Sequence, residues 1–143
     1  SNSVGIGQLP FADGNAGVPK SGMVLMGNTI LTGGQYFKVT EVSASAGGSY
    51  DMLSDRESFL TYFNWSGGNG TFDVNLPTVT TNKGRFLRFM TDGTFTTGGT
   101  NIRLLPSGSQ TIDGGAEYST SKDYNGFGIL STGNEWIVIQ QKA

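Results

Sequence analysis

The chain has 143 residues, a net charge of −2, and neither cysteine nor histidine. Those two absences exclude disulfide frameworks, thiol nucleophiles, thiolate or imidazole zinc sites and every triad that needs an imidazole base. Nine Lys plus Arg, without a basic cluster, argue against nucleic acid as a partner, and no apolar run reaches the ~18 residues of a membrane span, so no membrane insertion is expected. What remains is carboxylate chemistry, hydroxyl nucleophiles assisted by lysine, and binding. The 23 glycines, with Ser, Thr and Asn, cluster about every ten residues in the manner of tight turns. That pattern points to a single all-β domain.

Residues 1–34 are the least regular. Val4, Ile6, Leu9 and Phe11 are scattered among Gly, Asn and Asp, and Pro10 and Pro19 interrupt them. An extended arm, or a connection to an upstream region, fits this stretch, with a short hairpin at Met23 to Leu31 around Gly27-Asn28. Residues 35–143 form the expected β-sandwich domain.

Tyr36 to Val42 alternates, with Phe37 and Val39 on one face and Lys38 and Thr40 on the other, as in a half-buried strand. Ser43 to Ser49 reads as a small-residue loop. Ser58 to Trp65 is β-prone, and Phe72 to Leu76 alternates with its apolar set on one side. The intervening Ser66-Gly67-Gly68-Asn69-Gly70 makes these two strands the best hairpin candidate in the chain. Pro77 stops the second strand. Gly84 to Met90 is another strand, with Leu87 and Phe89 on one face and Phe86, Arg88 and Met90 on the other. Asp92-Gly93 is a turn, Thr94 to Gly99 a short strand or exposed loop, and Asn101 to Leu105 a strand with Ile102 and Leu104 inward.

Two short apolar runs close the chain. Phe127 to Ser131 and Trp136 to Ile139, joined by Thr132-Gly133-Asn134, read as adjacent antiparallel strands. Trp136, Ile137, Val138 and Ile139 are apolar at four successive positions, so neither face of the last strand is meant for water. Such a strand is central in a sandwich or pressed against a partner subunit. About eight to ten short strands result, enough for an antiparallel β-sandwich of jelly-roll type.

The acids offer weak chemistry. Asp51, Asp55 and Glu57 are close enough to hold calcium, but Arg56 among them and the missing mid-loop glycine favour a solvated turn with local ion pairing. Asp73, Asp92, Asp113, Glu117, Asp123 and Glu135 include enough carboxyls for a glycosidase pair, though nothing in the sequence brings two together. Asp113 before Gly114 is better read as a turn former, and Glu135 as exposed. Ser119-Thr120-Ser121-Lys122 is too polar to desolvate a lysine. No catalytic residue, metal site or cofactor is expected.

Binding is better supplied. Tyr50, Tyr62, Trp65, Tyr118 and Tyr124 lie in or beside Gly/Ser/Asn-rich loops. An aromatic face for C–H groups, with Asn, Asp and Ser around it, is what a saccharide site needs. Tyr62, Trp65, Tyr118 and Tyr124 are the receptor-binding candidates. Packing at the edges of a β core is the competing role for each.

Taken in order, Ser58-Phe59-Leu60, Asn75-Leu76-Pro77, Gly84-Arg85, Phe89, Ile102, Gly108, Thr111-Ile112-Asp113-Gly114, Ile129-Leu130-Ser131 and Gly133-Asn134-Glu135-Trp136-Ile137 form a pattern that covers residues 49 to 141. It resembles the C-terminal β module of bacteriophage tail-fibre proteins and of fibre or spike proteins of other DNA viruses. The resemblance implies a homotrimer at the distal end of a fibre on the virion surface, attaching to a host-surface receptor such as a glycan. It leaves two alternatives: a structural module that caps and trimerises a fibre, and a glycan-cleaving spike domain.

Overall fold

The computed structural model describes residues 37–52, 58–95 and 100–141. The arm and hairpin expected within residues 1–34, as well as Asp55 and Glu57, lie outside those residues. Nine strands and no helix form among the described residues: β1 (Val39–Ser45), β2 (Ser49–Asp51), β3 (Leu60–Gly67), β4 (Gly70–Asn75), β5 (Phe86–Thr91), β6 (Thr100–Leu105), β7 (Tyr118–Thr120), β8 (Gly126–Ser131) and β9 (Trp136–Gln141). The all-β class holds.

The pairing differs from the antiparallel jelly-roll expectation. A larger sheet has the order β1-β3-β5-β8-β9 and a smaller one β2-β4-β6-β7. In the larger sheet β1, β3 and β5 are parallel neighbours, and β8 and β9 are then added antiparallel. The smaller sheet repeats the scheme, with β2, β4 and β6 parallel and β7 antiparallel. Both sheets are therefore mixed. Through its first six strands the chain alternates between sheets, and each pair of strands stacks on the pair before it.

The stretch Ser66 to Gly70 shows why. It does not close a hairpin: β3 and β4 belong to different sheets, so the chain crosses the roughly 10 Å between layers instead of the ~4.8 Å between neighbouring strands. Gly68 and Gly70 adopt φ of 77° and 151°, conformations that favour glycine. A Cβ on either would lie 3.0 Å from the Cβ of Ala46, which belongs to the preceding crossing. Backbone bonds from Ala46 N to Gly67 O (3.2 Å) and Gly47 N to Thr71 O (2.9 Å) lock the two crossings together. Small residues here permit stacking of one arch on the next.

Alternation does place the core. Phe72, Val74 and Leu76, Leu87 and Phe89, and Ile102 and Leu104 all point inward and are buried. Phe63 meets Phe72 of the opposite sheet edge-on at 6.2 Å, while Phe89 stacks on Phe127 at 5.2 Å. β1 reverses its expected polarity. Val42 and Ala44 are buried, whereas Phe37 and Val39 are exposed, and the small-residue loop shrinks because Ala44 and Ser45 still belong to the strand.

The closing strands pair antiparallel as expected, Ser131 opposite Trp136 and Leu130 opposite Ile137. Gly133 takes φ 95° in the turn, and the Thr132 hydroxyl accepts from the amides of Asn134 (3.2 Å) and Glu135 (3.1 Å). β9 is nevertheless an edge strand, not a central one. Trp136 is fully buried, Ile137 and Val138 are half-buried, and Ile139 is 50% exposed. A bulge beside Ile129 releases the end of β9 from strict alternation.

Candidate binding rim

The strand directions gather one set of loops at one end of the sandwich. β1, β3 and β5 run towards the arches, β2, β4 and β6 run away from them, and the turn from β7 to β8 returns there. This arch end carries Trp65, Ser66, Asn69, Asp92, Thr94, Asp123 and Tyr124.

Trp65 occupies the last inward position of β3. Its ring meets Phe95 edge-on at 5.6 Å, its indole N–H donates to Gly68 O at 2.8 Å, and its backbone N–H donates to the Thr94 hydroxyl at 2.7 Å. The indole thus seals the core on one side. On the other it walls a shallow cleft of about 480 Å³ whose lining also includes Ser66, Gly67, Gly68, Asn69 and Thr94.

The loops beside the cleft are held by short local bonds. Asp92 Oδ1 accepts from the backbone N–H of Thr94 at 2.9 Å and from its hydroxyl, and Asp123 Oδ1 accepts from Phe95 N at 2.6 Å. The Thr91 hydroxyl donates to Lys122 O at 2.6 Å and accepts from Asn125 N at 3.0 Å, and the buried Asn125 amide donates to the Thr120 hydroxyl at 2.7 Å. A rim fixed in this way loses little entropy when a ligand binds.

Tyr124 has φ 49° and is 57% exposed. The hydroxyl end of its phenol lies against Gly93, where a Cβ would sit 2.4 Å from the hydroxyl oxygen. Tyr62 stands on the outward face of β3. Its phenol is held above the ordinary value of 10.0 by loss of solvent, then by the negative charge of Asp92, by Tyr124 and by Glu41. At neutral pH it is a protonated hydrogen-bond donor.

The structure therefore brings Tyr62, Trp65 and Tyr124 to one end and uses Tyr118 differently. Tyr118 packs on Phe127 with ring centres 5.1 Å apart, and its hydroxyl accepts from Gln141 Nε2 at 3.2 Å. Burial and then Asp113 raise its pKa. Tyr50 also packs against the core. The rim residues absent from the sequence reading are Thr94, Asn69 and the acid Asp92 in its anchoring role. Their only local signal was proximity to glycine, and their meeting depends on the arches.

The six acids considered for a glycosidase pair are all engaged. Asp73 takes a two-pronged bond from Arg103 at 2.8 and 2.9 Å, with Glu117 3.5 Å from the same guanidinium. Asp113, at φ 49°, accepts from Val138 N at 3.0 Å, which fits its turn role. Glu135, expected to be merely exposed, accepts from Gly114 N at 3.0 Å and the Thr111 hydroxyl at 3.2 Å, tying that turn to β9. Among the described residues no group of three or more acids is placed to hold a metal ion. The sequence matches no protein-family model and no curated protein.

Proposed function

We propose that this chain is the distal head of a trimeric viral fibre and attaches to a host-surface receptor, a glycan, through the arch-end rim. The observation that carries the reading is an open cleft walled by Trp65 with Ser66, Asn69 and Thr94, at the same end of the sandwich as the exposed Tyr124, with Thr94 held by Asp92. Aromatic faces suit the C–H side of a sugar ring, and amides, hydroxyls and carboxylates suit its hydroxyls. A shallow site of this kind binds weakly by itself. Three copies per head and several heads per particle convert weak sites into firm attachment. In this reading residues 1–34 join the head to an upstream shaft, and the rim faces away from the virion. Attachment rather than cleavage is the activity.

A second reading is a module that caps and registers the trimer without binding a receptor. The use of Trp65 N–H and of Tyr118 for internal bonds favours it. A glycan array probed with the full chain separates the two. The attachment reading predicts retention on a subset of glycans, lost in Tyr124→Ala, a surface change expected to alter stability by no more than about 0.5 kcal/mol. A stable trimer retained on no glycan would support the capping role instead.

A further inference from the structure

We propose that the outward face of the larger sheet is the surface through which copies of this chain associate, with Arg88 of one copy meeting Glu41 of the next. The inference rests on the multimeric part of the reading above and assigns it a surface.

The two outward faces of the sandwich differ in chemistry. On the smaller sheet the outward positions include Ser49, Asp73, Asn75, Arg103 and Ser119, and the charges there satisfy each other within the sheet. On the larger sheet they include Val39, Leu60, Phe86, Met90, Leu130 and Ile137, none of them fully buried. Val39 is 51% exposed. Parallel strands are normally covered on both faces, and β1, β3 and β5 are parallel. Contiguous exposed apolar surface beyond a few hundred Å² marks an interaction site. The whole face, polar positions included, spans five strands at ~4.8 Å and six residues at ~3.3 Å, a projected area of about 480 Å² before side-chain relief is counted. That relief, with the flanking rings of Phe37 and Phe59, brings the face towards the ~800 Å² per partner of a standard interface.

Charge selects the occupant. The Arg88 guanidinium lies 4.7 Å from the ring centre of Phe59 and 4.8 Å from that of Phe86. Its Nε is sealed from solvent with no hydrogen-bond partner, and among the described residues no carboxylate comes within ion-pair distance. Arginine framed by aromatics in an apolar setting is the composition of an interface anchor. Glu41, exposed on β1 of the same face, also lacks an ion pair among the described residues. The register Glu41, Tyr62, Met90 across β1, β3 and β5 puts Glu41 two strands and two residues from Arg88. From the sheet spacings their Cα atoms lie about 12 Å apart, and the guanidinium is turned onto Phe59 and Phe86 at the other end of the face. Tyr62 stands opposite Glu41 on this face, and Ser43 and Asn64 bond each other at 3.0 Å near the arch end. One cation and one anion on the same apolar sheet, neither in an ion pair among the described residues, let Arg88 of each copy meet Glu41 of the next around a closed ring.

The test is charge reversal on the full chain, with oligomeric state read by sedimentation equilibrium at tens of micromolar and folding confirmed by circular dichroism. Arg88→Glu and Glu41→Lys should each weaken association about tenfold or more, and the double reversal should restore it. Ile139→Glu, at an exposed position, should weaken it without rescue. A wild-type monomer overturns both this assignment and the multimeric reading. An oligomer indifferent to Glu41→Lys and Ile139→Glu overturns the assignment alone. Weakening by both charge reversals with no restoration in the double variant overturns the pairing. A monomer whose Val39 and Ile139 are protected from hydroxyl-radical footprinting would place another part of the chain over the face, and overturns it too.

Discussion

Trp136 carries the largest single packing contribution that can be assigned to one side chain. It is wholly buried at the start of β9, and its indole N–H has no partner. Trp136→Ala should cost about 3–5 kcal/mol, read as a lower denaturation midpoint. Trp136→Phe should cost less, because it also removes an orphaned donor whose burial carries a penalty of about 1–3 kcal/mol. Gly93 tests the rim with little effect on the core. A methyl there meets only the far end of the Tyr124 ring, so Gly93→Ala should leave the melting temperature nearly unchanged while displacing Tyr124 and weakening ligand retention. Tyr118 gives a pH signature. Its folded-state pKa lies above the unfolded value, so its contribution is fully present below pH 10.0 and is lost as the pH rises through the folded pKa. Thermal melts across that range should show stability falling, and Tyr118→Phe should reduce the fall.

At the level of elements, the longer strands were legible but the short β2 and β7 were not, and among the partners only those of the closing pair β8 and β9 could be read. Phe72 to Leu76 and Asn101 to Leu105 declare themselves by alternation, since period two needs only local sequence. Glycine after Trp65 says that the chain turns. It does not say whether the turn ends beside β3 or across the core, because hairpins and arches draw on the same permissive residues. Partners in the parallel pairs lie 20 to 30 positions apart, as Val39 with Leu60 and Gly70 with Thr100, beyond any local pattern. Phe37 and Val39 misled for a different reason. Their alternation says only that they share a face, and on β1 the buried face belongs to Val42 and Ala44 instead. The arches themselves can be tested: Gly70→Ala combines positive φ with a 3.0 Å approach to Ala46. It should cost more than about 1 kcal/mol, and Ala46→Gly should restore only part of that, since the backbone strain persists.

For the whole molecule, the two mixed sheets divide the labour of the surface. The smaller sheet turns a polar, internally paired face outward, the larger sheet an apolar one with single charges left over, and the arches gather aromatics at one end. The candidate site was legible as residue types near glycine but not as a constellation. Trp65 and Tyr124 are separated by 58 intervening positions and come to the same end only because β3, β5 and β8 share a sheet. The most direct measurement compares wild type with Tyr124→Ala on immobilised glycans at equal oligomer content. The account predicts that wild type is retained without consuming the glycan and that the variant is released at least about tenfold more readily, a loss of roughly 1.4 kcal/mol per site before avidity multiplies it. Equal retention of the two, or liberation of reducing ends by the wild type, would contradict it.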